Sequence, residues 1–212
     1  MASIAELDVY LEIGKKKVFA AVVDWPGWCR AGRDEEAAVQ TLLDYRDRYA
    51  AAVNGTARDV PAPPDTDTVR VVERLEGNAT TDFGAPGIVP ALDRVAITER
   101  DLERELQLQA ECWKAFDRIV RLAKGRSLAK GPRGGGRKLA TIRDHVDGAQ
   151  AAYTRQLGGS GAFTEAVWAR WRGQLPDKGP RGGDRWPPRY AIRRAAWHVL
   201  DHAWEIEDRL GA

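Results

Sequence analysis

The sequence predicts an α+β chain of two domains: a small β-β-β-α-β module over residues 1–77, then an all-α four-helix bundle over residues 91–212, with a connector at 78–90 between them. Three observations carry this reading. Apolar residues alternate one on, one off between Leu7 and Val22, which is the period of a strand with one buried face. Beyond Thr98 the apolar residues recur at spacings of three and four in four separate segments, which is the period of a helix. Between these regimes, Asn78 to Pro90 has neither period.

In the first module, Val9, Leu11 and Ile13 define one strand and Val18, Ala20 and Val22 a second, with Gly14-Lys15-Lys16 as the hairpin turn. Asp24-Trp25-Pro26-Gly27 breaks the run, because Pro26 lacks a donor and Gly27 tolerates positive φ; Trp28 to Gly32 follows as a third strand. Asp34 offers a side-chain cap to a helix reaching about Val53, with the stripe Ala38, Leu42, Tyr45, Tyr49. A Pro/Asp-rich linker, Val60 to Asp67, leads to a last strand, Val69 to Leu75.

In the second part, Thr98 with Asp101 three residues later forms a capping pair for a long helix with the stripe Leu102, Leu106, Gln109, Trp113, Phe116, Val120, Ala123. A second helix spans about Lys138 to Leu157, turning Leu139, Ile142, Val146, Ala149, Tyr153 and Leu157 inward and ending at Gly158-Gly159. The third covers about Phe163 to Leu175. The fourth follows Pro187-Pro188 and runs to Leu210. The segment Lys130 to Gly135 (KGPRGG) recurs as Lys178 to Gly183, each copy in the loop before a histidine-bearing helix.

Composition narrows the function classes. A chain of 212 residues with 43% hydrophobic content can build real cores. No apolar run approaches the roughly 18 residues a membrane span needs, and MASIAELDVY lacks the basic and apolar regions of a secretion signal. The expectation is a soluble, unprocessed, cytoplasmic protein. Cys29 and Cys112 have no C-x-x-C partner, so they build neither a disulfide framework nor a thiolate zinc site and read as reduced, buried residues. Net charge is only +2, but residues 1–77 carry 10 basic against 14 acidic residues, and the rest carries the positive excess.

Only three histidines occur, His145, His198 and His202, and all fall on predicted bundle helices. His198 and His202 stand four apart on one helix, about 40° apart around the axis and about 6 Å along it, so both imidazoles can converge on one point. His145 lies on the flank of the second helix beside the small residues Gly148, Ala149 and Ala152, which leave room for a ligand. Three neutral imidazoles with a fourth position open make a catalytic type of metal site, best suited to zinc, with nickel, iron or manganese as alternatives. Glu205 shares the face of the pair and Asp201 follows His198 by three, so each is a candidate general base or histidine orienter; Arg209, four after Glu205, equally fits an ordinary surface ion pair.

The bundle resembles the DinB/YfiT-like metal-binding superfamily, through His145 in Ile142-Arg-Asp-His-Val-Asp-Gly148 and through Trp197-His-Val-Leu-Asp-His202, over roughly Ile88 to Ala212. That resemblance implies a divalent metal on the three histidines and, for many members, thiol-dependent transferase, isomerase or hydrolase activity with mycothiol, bacillithiol or glutathione as cosubstrate. The metal would then bind a thiol or water and lower its pKa. The first module resembles the HicB-like antitoxin fold through Val22-Val-Asp-Trp-Pro-Gly-Trp-Cys-Arg-Ala-Gly32 and Asp34-Glu-Glu-Ala37. It departs in a Gly32-to-helix step one residue short, and no helix-turn-helix or ribbon-helix-helix DNA reader follows. Such a module implies dimerisation, partner binding or covering of the bundle.

Seven basic residues and no acid lie between Arg121 and Lys138, and six against Asp184 alone between Lys178 and Arg194. Glycine-rich loops of this kind cradle anions, so Arg133 and Arg181, with Arg194 one turn before His198, are the candidate binders of a small anionic substrate. Trp186, between two Gly/Pro loops, is placed to close the pocket. The alternative is a non-catalytic protein holding a protein or RNA partner through the HicB-like module and basic loops. Nucleic acid is the weaker partner, because no RNP, KH or zinc-finger motif occurs and the basic residues are not interleaved with aromatics.

Overall fold

The computed structural model describes residues 6–56, 59–61, 68–130 and 136–211. It is α+β, with a four-stranded mixed sheet followed by helices, and divides into two compact units, Met1–Ala96 and Ile97–Ala212.

In the first unit, β1 (Leu7–Ile13) and β2 (Val18–Val22) form an antiparallel hairpin with Val9 opposite Val22 and Ile13 opposite Val18, closed where the Gly14 N–H donates to the Lys17 carbonyl. β3 (Cys29–Gly32) pairs antiparallel with β2, and β4 (Val69–Glu76) pairs parallel with β1, giving the order β3-β2-β1-β4. A parallel neighbour needs a long crossover. Here the crossover carries α1 (Glu35–Asp44) and α2 (Arg46–Ala52), two helices where the sequence predicts one from Asp34 to Val53. The break falls at Tyr45 (φ −88°, ψ 2°), and past it the Arg46 guanidinium donates to the Val60 and Pro61 carbonyls.

The Asp24–Gly27 turn anchors this core. Gly27 adopts φ +95°, and the Trp28 N–H donates to the Trp25 carbonyl at 3.0 Å. Trp28 then stacks on Tyr49 at 5.4 Å, its Nε1–H donates to the Leu42 carbonyl, and the Tyr49 hydroxyl donates to the Pro26 carbonyl. Gly32 is required by close approach: a Cβ there would lie 2.2 Å from the Ala38 nitrogen in the first turns of α1. The Asp34 carboxylate caps α1 by accepting from the Ala37 N–H at 2.8 Å, as the sequence predicts.

Residues 78–90, expected as a connector, are tied to the sheet. The fully buried Glu12 carboxylate of β1 accepts from the Thr81 hydroxyl and from the Gly87 and Ile88 N–H groups. Thr81 belongs to α3 (Ala79–Phe83), which opens with a reciprocal Asn78/Thr81 capping box. A buried carboxylate is tolerated only when hydrogen bonds replace its water, so this stretch is part of the first unit. Most of the expected Val60–Asp67 linker, residues 62–67, lies outside the described residues.

The second unit contains α4 (Glu99–Ala123), α5 (Leu139–Leu157), α6 (Phe163–Trp171) and α7 (Pro188–Leu210). Thr98 caps α4 by accepting from the Asp101 N–H at 3.2 Å. α6 ends at Trp171, four residues before the expected Leu175, where Gly173 takes φ +68°. α7 packs against each of the other three helices and is buried on all sides between Tyr190 and Trp204 apart from Arg194 and Asp201. That is the burial of a central helix, and it decides where the polar residues of α7 end up. Leu102, Leu157, Val167 and Ile192 meet in one core cluster, each 0% exposed; full burial of one such side chain is worth about 1.5–3 kcal/mol. Both cysteines are buried and unbridged, as expected. Among the described residues no helix is long and apolar enough to cross a membrane.

Candidate metal centre

α5 supplies His145 and α7 supplies His198 and His202, and one ring nitrogen from each lies within 4.8 Å of the others. His145 is exposed, whereas His198 and His202 are each 8% exposed, so the cluster has a buried floor and an open side. Beside His145, Gly148 is exposed, and a Cβ there would meet no atom within 4 Å. The ring planes cross at 61° to 86° with centroids 4.7–5.0 Å apart, so the rings meet edge on instead of stacking.

The Nε2 atoms of His145 and His198 are 3.1 Å apart. Two lone pairs at that distance repel unless a proton or a cation lies between them. Two nitrogens on a tetrahedral zinc ion, each at about 2.0–2.1 Å, stand roughly 3.3 Å apart, so the spacing fits a shared ion. Burial, with the positive charge of neighbouring groups, pushes the His198 imidazole down to about 2. Burial lowers His145 as well, reinforced by His202 and Arg137 and opposed by Glu205. Both rings are therefore neutral at neutral pH, the state in which imidazole ligates a metal.

The third ring is oriented by a carboxylate. Glu205 Oε2 lies 2.7 Å from His202 Nδ1, and Oε1 accepts from the Arg209 Nη1–H at 3.0 Å. The His202 hydrogen bond, followed by Arg209, holds the Glu205 carboxyl below its ordinary range, so it is ionised and can only accept. Nδ1 of His202 is thus a donor to Glu205, so Nε2 is the nitrogen that would face a metal. Arg209 is only 4% exposed and also donates to the Ala129 and Arg137 carbonyls. Spacing alone allowed a surface ion pair for Glu205 and Arg209; the arginine is in fact a buried tie. Nothing in the sequence marked it, since burial of that face follows from the packing of α7.

Of the two candidate carboxylates, Glu205 is hydrogen-bonded to His202, and Asp201 lies half-buried on α7. Arg194 is half-buried one turn before His198, its guanidinium carbon 4.5 Å from the Trp197 ring centroid and 5.5 Å from that of Tyr153. Tyr153 in turn meets the His198 ring edge on at 5.8 Å, and Trp186 packs against Tyr153 at 5.3 Å, which puts Trp186 beside the cluster. Burial raises the Tyr153 phenol above its ordinary value. Arg181 is exposed in a small loop closed by the Lys178–Asp184 ion pair and by the Gly179 N–H donating to the Gly183 carbonyl. No described contact brings Arg181 to the histidines. Arg133, in the first copy of the repeated loop, lies outside the described residues.

This arrangement can hold one divalent cation on three imidazole nitrogens with one side open. Comparison with known proteins found no family model, no curated protein and no solved structure that matches the chain.

Proposed function

We propose that the second unit is a DinB-like four-helix bundle holding one divalent metal ion on His145, His198 and His202, and that the protein is a metal-dependent enzyme, a thiol-dependent transferase or hydrolase acting on a small anionic substrate. The observation that carries this reading is the convergence of three imidazoles within 4.8 Å, with Glu205 and then Arg209 lined up behind one of them. A carboxylate backed by a buried arginine orients a ring that ligates a metal, which a purely structural histidine does not need.

Zinc is the ion that three imidazoles and an open position suit best, with nickel, iron and manganese as competitors. A divalent ion supplies Lewis acidity there, lowering the pKa of a thiol or water that reaches it. The chain's own residues do the rest. His198 stays neutral through burial, His202 is held through Nδ1 by Glu205, and the open side at His145 admits a cosubstrate. Both Glu205 oxygens are engaged, so its role is to orient His202 and not to remove a proton. The HicB-like reading of the first unit is supported by its strand and helix order and by the Asp24–Gly27 turn, and it assigns that unit to partner binding or dimerisation in the cytoplasm.

Cobalt substitution tests the thiol part. Adding 2-mercaptoethanol to the cobalt-loaded protein should produce a thiolate-to-cobalt charge-transfer band. A spectrum unchanged at saturating thiol, with cobalt bound, rejects thiol dependence and leaves hydrolysis.

A further inference from the structure

Several arginines of the second unit are paired with carboxylates. Arg209 is paired with Glu205, Arg189 with the fully buried Glu105, and Arg143 with Asp117 and Asp147. Arg194 instead sits between the Tyr153 and Trp197 rings, and its Nη1 is buried without a hydrogen-bond partner among the described residues. Aromatic faces hold a guanidinium in place through its charge but accept none of its in-plane N–H donors. A buried donor left unanswered costs stability.

We propose that Arg194 and its aromatic surround form a carboxylate-binding subsite next to the metal centre, taking a substrate with one carboxylate and a flat or apolar body. This rests on the reading of the histidine cluster as the reaction centre. The planar fork of guanidinium matches one carboxylate in two parallel hydrogen bonds, and partial burial strengthens that pair. Tyr153 and Trp197 flank the guanidinium and Trp186 packs on Tyr153, so the surround is aromatic, which suits an apolar body. A phosphate carries more charge than the Arg194 guanidinium alone answers. The geometry also joins the subsite to the centre: Arg194 lies one helical turn before His198, and the Tyr153 ring touches both.

The test is calorimetric titration with benzoate, with its neutral counterpart benzamide and with inorganic phosphate, on the metal-loaded and chelator-treated full chain. Wild type and Arg194→Met are compared, with Arg194→Gln as a second variant should the first not fold. Benzoate should bind with and without metal, at least about tenfold more tightly than benzamide. Arg194→Met should weaken benzoate by at least about tenfold, leave benzamide and metal content unchanged, and not lower the Tm, because the unpaired charge is removed while the stem still packs between the rings.

Benzoate affinity unaffected by either variant overturns the subsite. So does affinity lost on chelation alone, which would make the metal itself the carboxylate's ligand. Phosphate bound more tightly than benzoate in an Arg194-dependent way overturns the carboxylate assignment. Metal content, measured separately by elemental analysis, reports on the metal centre, so failure of one reading is distinguishable from failure of the other.

Discussion

His202 is held in place through two ionised groups, Glu205 and Arg209, and the latter closes the set by donating to two backbone carbonyls as well. Removing the middle link should leave the metal site assembled but loosely oriented. Glu205→Ala should weaken zinc about 10–100-fold in competition with a chromophoric chelator, with one equivalent still bound at saturation. Arg209→Met leaves the Ala129 and Arg137 carbonyls without this donor, and should cost about 2 kcal/mol in urea unfolding of the metal-free protein. Unchanged stability would show that water takes over those carbonyls. At this scale the histidines were legible in sequence because they are scarce and regularly spaced. Arg209 was not, because a spacing of four between acid and base is the same on a buried and an exposed helix face. Arg181 is the converse case: a glycine-rich basic loop has the composition of an anion cradle wherever its tip points, and no described contact joins it to the histidines.

Elements with a strong period were legible almost to their ends. The Val9/Leu11/Ile13 and Val18/Ala20/Val22 alternations became β1 and β2, and Leu102, Leu106, Gln109, Phe116 and Ala123 of the predicted stripe are buried on α4, with Trp113 and Val120 half-buried. What no local pattern carries is pairing between distant segments, so the parallel β1–β4 contact and the fastening of 78–90 through Glu12 came only from the fold. The break at Tyr45 was hidden too, since neither glycine nor proline marks it. Two tests belong here. Ile192→Ala, in the core cluster of the second unit, should cost about 2–5 kcal/mol. Asp34 gives a pH signature: its bond from the Ala37 N–H holds the carboxyl below the ordinary 3.8. The unfolded chain therefore takes up that proton first, and the cap's contribution is present above pH 3.8 and lost as pH falls through the lower folded value. The Tm gap between wild type and Asp34→Ala should narrow on acidification below 3.8. A gap that holds constant or widens contradicts this.

For the whole molecule, two units with separate cores imply that a ligand of one need not stabilise the other. Zinc at a hundredfold excess over its Kd adds about 2.7 kcal/mol to whatever unfolds with its site. Hydrogen exchange should therefore slow in α5 and α7 on zinc addition and stay unchanged in β1 to β3. Slowing in the strands as well would show that the units unfold together. The central claim is that the three histidines form one metal site, and elemental analysis of the purified, zinc-equilibrated chain tests it most directly. The account predicts close to one equivalent per chain, falling well below that in His198→Ala. Substoichiometric metal that His198→Ala leaves unchanged would contradict it.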